Sequence, residues 1–346
     1  MPPNVAVVGA TGAVGTEMLR ILAERRFEMA SLRLIATARS AGRSIPYDGD
    51  ELTVVEISDA AFDGIDVALF DTPDDAAVSW VPRAKAAGAI CIDNSAAWRM
   101  DERVPLVVPE INADAVDAHD GIVANPNCTA IALLMPLAPL HRAAGCSRVV
   151  AASYQSVSGA GVAGVDDLYE QAEKLLPERE AVRTGKIQDL VPPGRAFTHP
   201  IAFNVIPHVG SFDGAGTTSE ERRVAGETRK ILGADIDVFS TCVRVPTVVA
   251  HGVAAWAEFE RPLSVAEARE ALAASDGVTL ADDPANSEYP TALAASGGDK
   301  AIVGRVRQDP SGHNALAFFS ACDNLRKGAA LNAVQIAELL AARGIV

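Results

Sequence analysis

The 346-residue sequence contains no stretch of about 20 unbroken apolar residues, the length a helix needs to cross a bilayer, so no membrane-spanning helix is expected. Its five cysteines, Cys91, Cys128, Cys146, Cys242 and Cys322, form no CxxC pair and belong to no His/Cys cluster. An odd, scattered set argues against a disulfide framework or structural zinc, and no metal site is expected. Positive charge is scarce: 30 Lys and Arg against 45 Asp and Glu leave a formal net charge of −15. Such a surface repels phosphate backbones and anionic lipid, which excludes nucleic acid and membrane as general partners. An anionic substrate would have to be met by local cations. The opening MPPNVAVVGATG lacks the basic segment and long apolar run of a secretory signal, which makes the cytoplasm the expected location. No repeat, low-complexity tract or evident linker interrupts the chain.

What the sequence has is a globular composition, 49% hydrophobic and 22% charged, over a length that suits two domains. Apolar runs of strand length alternate with helical patterns at residues 5–8, a helix to about residue 23, then 32–37, 67–70, 89–92 and 121–125. This is βαβ punctuation and predicts a parallel sheet covered by helices. After Gly145 the pattern changes to longer strands, at 148–157, 202–206 and an extended run over 238–259, separated by uneven helices. The expected fold is therefore α/β: a Rossmann-type dinucleotide-binding domain over residues 1–127, then an α+β domain with a mixed sheet over 128–325. Ala, Leu and Ile at helical spacing over 328–343 predict a closing helix, whose pattern does not say which domain it packs on.

Gly9, Gly12 and Gly15 form GxxGxxG between the first strand and first helix, where glycine lets backbone approach a pyrophosphate and helix N–H groups face the anion. Tight strand-to-helix turns use the same residues for packing alone. At the end of the second strand, where NAD enzymes place an acidic ribose ligand, the sequence reads ATARSAGR. Arg39 and Arg43 there suit the 2′-phosphate of NADP, or are solvated loop arginines.

Cys128 follows Asn-Pro-Asn and opens an apolar helical stretch, so its sulfur sits near a helix N-terminus, where the dipole favours the thiolate. From position alone it is a nucleophile or a small core residue. Gln155, in SYQSVSGAG, either orients a reacting group or is a satisfied buried amide. His251, in VVAHGVAAW, is an acid–base group or a structural histidine among apolar neighbours. Arg244, earlier in the same run, has the planar fork that binds a carboxylate. Strict alternation puts residues seven apart on opposite faces of one strand, so a shared site requires a bend or bulge, expected at Pro246.

Taken in order, GATGAVG, PLVVPEIN, NPNCTAI, SYQSVSGAG, CVRVPTVVAHG and DNLRKGAALNAVQIAELL make nearly the whole chain resemble the aspartate-semialdehyde dehydrogenase family. The resemblance implies a cytoplasmic homo-oligomer, a dimer or a tetramer, and a closing segment, 326–346, that returns to the first domain. Its reaction would be reduction of L-aspartyl 4-phosphate with NADPH to aspartate semialdehyde and phosphate, feeding lysine, diaminopimelate, threonine and methionine synthesis. It assigns Cys128 as the nucleophile that forms a thioester, Gln155 as the group orienting the intermediate, and His251 as acid and base. Arg244 would bind the α-carboxylate, Glu220 the α-amino group, and Arg99, with Asn94 beside it and Arg223, the phosphate. Cofactor contacts are implied at Gly9, Thr11, Gly12, Ala13, Val14, Gly15, Arg39, Ser40, Thr72, Ser158, Gly159 and Asn324. Three positions depart from the family pattern: Arg223 stands where lysine is usual, Ala96 where serine is frequent, and Phe70-Asp71-Thr72-Pro73-Asp74-Asp75 where FSAGGS is common. The last adds carboxylates near the expected cofactor cleft. The competing readings are an N-acetyl-glutamyl-phosphate reductase or malonyl-CoA reductase on the same architecture, disfavoured by Glu220, and a catalytically silent homologue.

Overall fold

A computed structural model describes residues 1–186 and 190–346, which fall into two compact units. Met1–Asn127, Arg229–Ala234 and Leu325–Val346 make the first, and Cys128–Thr228 with Asp235–Asn324 the second. The first unit begins β1 (Asn4–Val8), α1 (Ala13–Glu24), β2 (Ser31–Ala36), β3 (Ser44–Tyr47), β4 (Asp50–Glu56) and β5 (Val67–Phe70). It continues through α2 (Asp74–Ala86), β6 (Ile90–Asp93), α3 (Pro109–Asn112) and β7 (Ile122–Ala124). Its seven strands lie in the order β3-β4-β2-β1-β5-β6-β7, parallel except for the antiparallel β3–β4 hairpin.

Without β3 this is the doubly wound order of dinucleotide-binding sheets. The winding reverses between β1 and β5, so a ligand crevice is expected beyond the carboxyl ends of those two strands. The continuous apolar reading of β1 and β5 follows from helices on both faces: Val67–Phe70 is buried at every position. The β3–β4 hairpin was not expected. Its signal was in the sequence all the same: Asp48 and Gly49 both have positive φ, the Asp-Gly turn that suits a two-residue hairpin.

The second unit contains α4 (Cys128–Ala144), β8 (Cys146–Gln155), α5 (Val162–Leu175), α6 (Arg179–Arg183), α7 (Ser219–Leu232), whose residues from Arg229 onward belong to the first unit, β9 (Asp237–Arg244) and β10 (His251–Phe259). After these come α8 (Val265–Ala273), β11 (Val278–Leu280), α9 (Ala292–Ala295), β12 (Ala301–Gln308) and β13 (Ala315–Cys322). Its sheet, in the order β11-β12-β13-β10-β8-β9, is mixed, with β8–β9 and β11–β12 parallel and the other pairs antiparallel. The fold class expected from the sequence is thus the one observed. α4 is apolar on all sides because it is enclosed in this unit's core, packed against β8, β10 and β13.

Two strand expectations are corrected. Residues 202–206 form no strand; only Ile206 makes a backbone bridge, to Arg244. The run over 238–259 is not one strand bent at Pro246 but two, β9 and β10, on opposite sides of β8. Residues 245–250 cross the carboxyl end of β8, where Val157 N–H donates to Thr247 O at 2.8 Å and Ser158 N–H to Val248 O at 3.2 Å. Alternation along the chain could not reveal this, because both halves are equally apolar.

The chain closes with a π-turn, Arg326–Ala330, and α10 (Leu331–Ala342), whose Val334, Ile336 and Leu340 join Met18, Leu22, Leu34 and Leu69 in the first unit's core. Within that unit Lys327 is fully buried, its Nζ 2.5 Å from Glu110 Oε2, 2.7 Å from Gln335 Oε1 and 2.8 Å from Asn332 Oδ1. Asn332 in turn donates to Val107 O at 2.9 Å and Asn125 Oδ1 at 2.6 Å. Losing one partner of a buried pair strands the other. Lys327→Met is expected to cost about 3 kcal/mol or more in denaturant unfolding. Adding Glu110→Gln should recover part of that loss, and a double variant no more stable than the single one would contradict the pairing.

Candidate active site

The inner face of the second unit's sheet brings three of the sequence-derived residues into a row. Arg244 ends β9 in register with Gln155, which ends β8, and His251 begins β10 one residue before the Gly252–Tyr154 pair. Adjacent strands lie about 4.8 Å apart, so the three side chains converge without any bulge. All three are buried. The expectation that Arg244 and His251 share a site through a bend at Pro246 is replaced by a crossover that puts β8 between them.

His251 is held by its backbone surroundings. Its Nδ1 accepts Ser156 N–H at 3.0 Å and lies 3.1 Å from Ser156 Oγ. An Nδ1 that accepts an amide hydrogen leaves the neutral ring's proton on Nε2, which is buried without a hydrogen-bond partner. Burial first, and the charge of Arg244 second, push the imidazole down to about 3. The preceding residue, Ala250, has a φ of +70°, a strained conformation for a side-chain-bearing residue. Asn324 Oδ1 holds it there by accepting Ala250 N–H at 2.9 Å, and accepts Ser156 Oγ–H at 3.0 Å as well. Asn324 Nδ2 donates to Ser158 Oγ at 3.0 Å. The amide expected to touch a cofactor is therefore engaged in keeping His251 and Ser156 in place.

Arg244 Nη1 donates to Ser156 O at 2.6 Å, its Nε has no partner, and its guanidinium stands 5.7 Å from the Phe197 ring. Burial lowers its pKa, while Cys128 and Glu220 act in the opposite sense. A cavity of about 170 Å³ opens beside it, lined by Phe197, Ile206 and His208 among others. A Cβ on Gly159 would come within 2.8 Å of Arg244 Nη1 and 3.2 Å of His251 Nε2, so only glycine leaves this gap open.

Glu220, in the first turn of α7, is buried and joins the same cluster: its Oε1 accepts Gln155 Nε2–H at 3.0 Å and Thr129 Oγ1–H at 3.3 Å. Gln155 Oε1 accepts Ser153 Oγ–H at 3.0 Å, so both ends of the amide are fixed. Arg223 Nη1 approaches Glu220 Oε2 at 3.5 Å from the next turn. Cys128 is the first residue of α4 and half-buried, while the four other cysteines are buried. Burial pushes the Cys146 and Cys242 thiols up to about 12 and raises Cys91 as well, which keeps them inert near neutrality. Sequence reasoning missed Ser153, Ser156 and Thr129. Thr129 and Ser156 adjoin residues it did single out and Ser153 lies two before Gln155, on the same strand face; that proximity was the only signal.

In the first unit, Gly9 has a φ of +91°, and a Cβ there would lie 2.0 Å from Asp71 O; one on Gly15 would lie 2.2 Å from Gly9 O. These glycines close the turn from β1 into α1. Thr11 Oγ1 donates to Ser40 Oγ at 3.2 Å, joining this turn to the loop after β2 that carries Arg39, which is exposed. The Thr72 hydroxyl and both ends of the Asn94 amide are buried without hydrogen-bond partners. Arg99 is buried, its Nε donating to Asn125 O at 2.9 Å and its Nη2 to Asn94 O at 2.7 Å. Among the described residues no cluster of three or more His, Cys, Asp and Glu side chains could hold a metal ion.

A doubly wound dinucleotide-type unit and a mixed-sheet unit carrying cysteine, glutamine, arginine and histidine together define a nicotinamide-dependent oxidoreductase of the semialdehyde dehydrogenase class. Family models for the semialdehyde dehydrogenase NAD binding domain and dimerisation domain match residues 4–119 and 137–327. The chain is 43% identical to an aspartate-semialdehyde dehydrogenase of Synechocystis, over 99% of this chain and 98% of that one. It is 46% identical to one of Streptomyces akiyoshiensis, over 98% of each. The crystal structure of aspartate semialdehyde dehydrogenase II of Vibrio cholerae complexed with ASA superposes with a TM-score of 0.92 at 39% identity, covering 99% of both chains. The chain belongs to the aspartate-semialdehyde dehydrogenase family.

The depressed imidazole yields a test by pH. The unfolded chain protonates His251 below about 6.5 while the folded protein does not, so this residue's contribution falls as pH drops from 6.5 towards 3. Between pH 7 and 5 that amounts to about 2 kcal/mol. Denaturant unfolding of His251→Gln should therefore show a smaller acid loss than the wild type by about that amount. Asp71 and Asp93, raised to about 6 by burial, act with the opposite sign and are common to both proteins. Equal losses would show that the ring is protonated in the fold.

Proposed function

We propose that this chain catalyses the reversible, NADPH-dependent conversion of L-aspartyl 4-phosphate to L-aspartate 4-semialdehyde and phosphate, in the cytoplasm, as part of aspartate-derived amino-acid synthesis. The observation that carries the reading is the convergence of Gln155, Glu220, Arg244 and His251 in the unit whose α4 begins with the half-buried Cys128. Two ionic groups of opposite sign, Arg244 and Glu220, suit the carboxylate and ammonium of an amino acid. An N-acetylated acyl phosphate or malonyl-CoA offers no ammonium for Glu220.

The helix N-terminus and Arg244 favour the Cys128 thiolate, which attacks the acyl carbon and expels phosphate, leaving a thioester on sulfur. Gln155, fixed at both ends, would orient the acyl oxygen. The Nε2–H of His251 acts as the acid towards the oxygen that reduction leaves negatively charged, sharing its proton with it by hydrogen bond until the C–S bond breaks, the Cys128 thiolate is released and the aldehyde leaves. Because the resting ring is neutral, it offers that proton without bringing a positive charge into the core. Arg223, one turn from Glu220, is the proposed phosphate contact within this unit.

The first unit fits a nicotinamide dinucleotide: its glycine turn closes below the N-terminus of α1 at the switch point, and the orphaned Thr72 and Asn94 groups lie at the ends of β5 and β6. Gly9, Thr11, Gly12, Ala13, Val14, Gly15, Ser40 and Thr72 would hold it. Arg39 would select the 2′-phosphate of NADP. When bound, the cofactor supplies the hydride.

We also propose a homodimer. The sheet face opposite α4 leaves Val150, Tyr154 and Phe239 exposed, with Val150 paired to both Phe239 and Trp256 across neighbouring strands. This contiguous apolar surface lies within the segment matched by the dimerisation-domain family. Phe239→Asp should convert the wild-type species to monomer in sedimentation at micromolar concentration; an unchanged mass would exclude this face.

The decisive assay is phosphate-dependent oxidation of aspartate semialdehyde, run in parallel with NADP and NAD. Comparable efficiency with the two would remove the role given to Arg39, and no reaction with either would remove the proposal. Cys128→Ala should lose turnover by at least about 10⁴-fold while its NADPH affinity stays within about twofold of wild type. Residual turnover near the wild-type rate would rule out the thioester.

A further inference from the structure

We infer that Asp71 is an internal anion at the dinucleotide crevice, and that it weakens this chain's hold on the cofactor diphosphate. The inference rests on the dinucleotide reading of the first unit. Asp71 follows β5 directly, at the switch point of the sheet, and its own N–H is fixed by Val8 O at 2.8 Å. Its side chain turns to the start of α1. There the N–H of Gly15, in the helix's first turn, and the Asn94 amide lie near enough to favour the carboxyl's ionised form. Oδ2 stands 3.4 Å from the point a Cβ on Gly12 would occupy. It is thus set against the second and third glycines of the turn that faces a bound diphosphate in folds of this kind.

A helix N-terminus carries about half a positive charge, and a single anion can use it at full value. Here the chain has already supplied one. No side-chain cap and no acidic residue of α1's own first turn competes for the position, so Asp71 is the helix's resident counter-charge. A diphosphate arriving at the same end meets a like charge where a family member with serine would offer a neutral hydroxyl. Burial, partly offset by Asn94 and Gly15, raises this carboxyl to about 6, which leaves it mostly ionised near neutrality. The orphaned Thr72 hydroxyl beside it is the neutral group left to meet a ligand.

The test is binding rather than turnover. NADPH titrated by fluorescence into wild type, Asp71→Asn and Asp71→Ser should bind both variants about tenfold more tightly. Asn keeps the shape and an acceptor for Gly15 N–H, and Ser restores the family residue. Adenosine 2′-monophosphate, which lacks the diphosphate, should bind all three alike. Equal or weaker NADPH binding by the variants overturns the inference and leaves the dinucleotide reading intact. An equal gain for the monophosphate would make the effect one of general charge and also overturn it. Failure of both variants to fold would show that the carboxylate is required by the fold itself, against the inference. Absence of NADPH binding to all three folded proteins would end the dinucleotide reading and the inference with it.

Discussion

The candidate chemistry depends on one backbone constraint: six residues, 245–250, must cross the carboxyl end of β8 to connect two strands on either side of it. That crossing places the last residue of β9, the last of β8 and the first of β10 in a row. It also leaves two amide hydrogens, those of Val157 and Ser158, satisfied by the crossing strand's carbonyls. The cost is visible at Ala250, whose positive φ would relax if nothing held it. Asn324 holds it, and the same amide binds Ser156 and Ser158. A strained backbone, a serine pair and a neutral histidine are therefore parts of one arrangement.

The polar groups around that row are fixed largely by one another. Glu220 holds Gln155 and Thr129, Ser153 holds the other end of Gln155, and Ser156 receives Arg244 through its carbonyl while donating its N–H to His251. Buried groups satisfied in this way lose little entropy when a substrate arrives, because their rotamers are already set. Two buried atoms of the row itself lack partners, Nε of Arg244 and Nε2 of His251, and both belong to the groups assigned to substrate contact and proton transfer. Orphaned polar atoms are costly in a core, and their presence here fits groups whose partners arrive with the substrate.

Much of this was legible in the sequence, and the limits have physical causes. The parallel sheet could be read because strands buried on both faces give short apolar runs separated by glycine-marked turns. Cys128, Gln155, Arg244 and His251 stood out as reactive, amide or forked groups, and their roles came from the resemblance of their motifs to the family. Their convergence could not be derived, since it depends on β8 lying between two strands that are consecutive in the chain. Strand order is set by long-range pairing, and alternation records only which face a residue takes. The 202–206 segment misled for a related reason: Ala202 and Ile206 are buried, but Phe203, Asn204 and Val205 are exposed in a turn. Apolar composition was mistaken there for extended backbone. The β3–β4 hairpin was the opposite case, a local signal at Asp48-Gly49 that was present and not used.

Two helix N-termini illustrate how one electrostatic feature serves two ends. α4 begins with Cys128, so the positive end of that helix meets a group that becomes an anion only when it loses its proton. The field there contributes reactivity. α1 begins after glycines, and its positive end already meets Asp71, a carboxylate supplied from β5. The field there is partly neutralised before any ligand arrives. A chain with a formal charge of −15 gains little from adding another buried carboxylate unless it stabilises something, and the N–H of Gly15 is the group it lies near. The same residue that steadies the first turn of α1 is thus the one set against a diphosphate. Stability of the empty crevice and affinity for its occupant then pull in opposite directions through a single side chain.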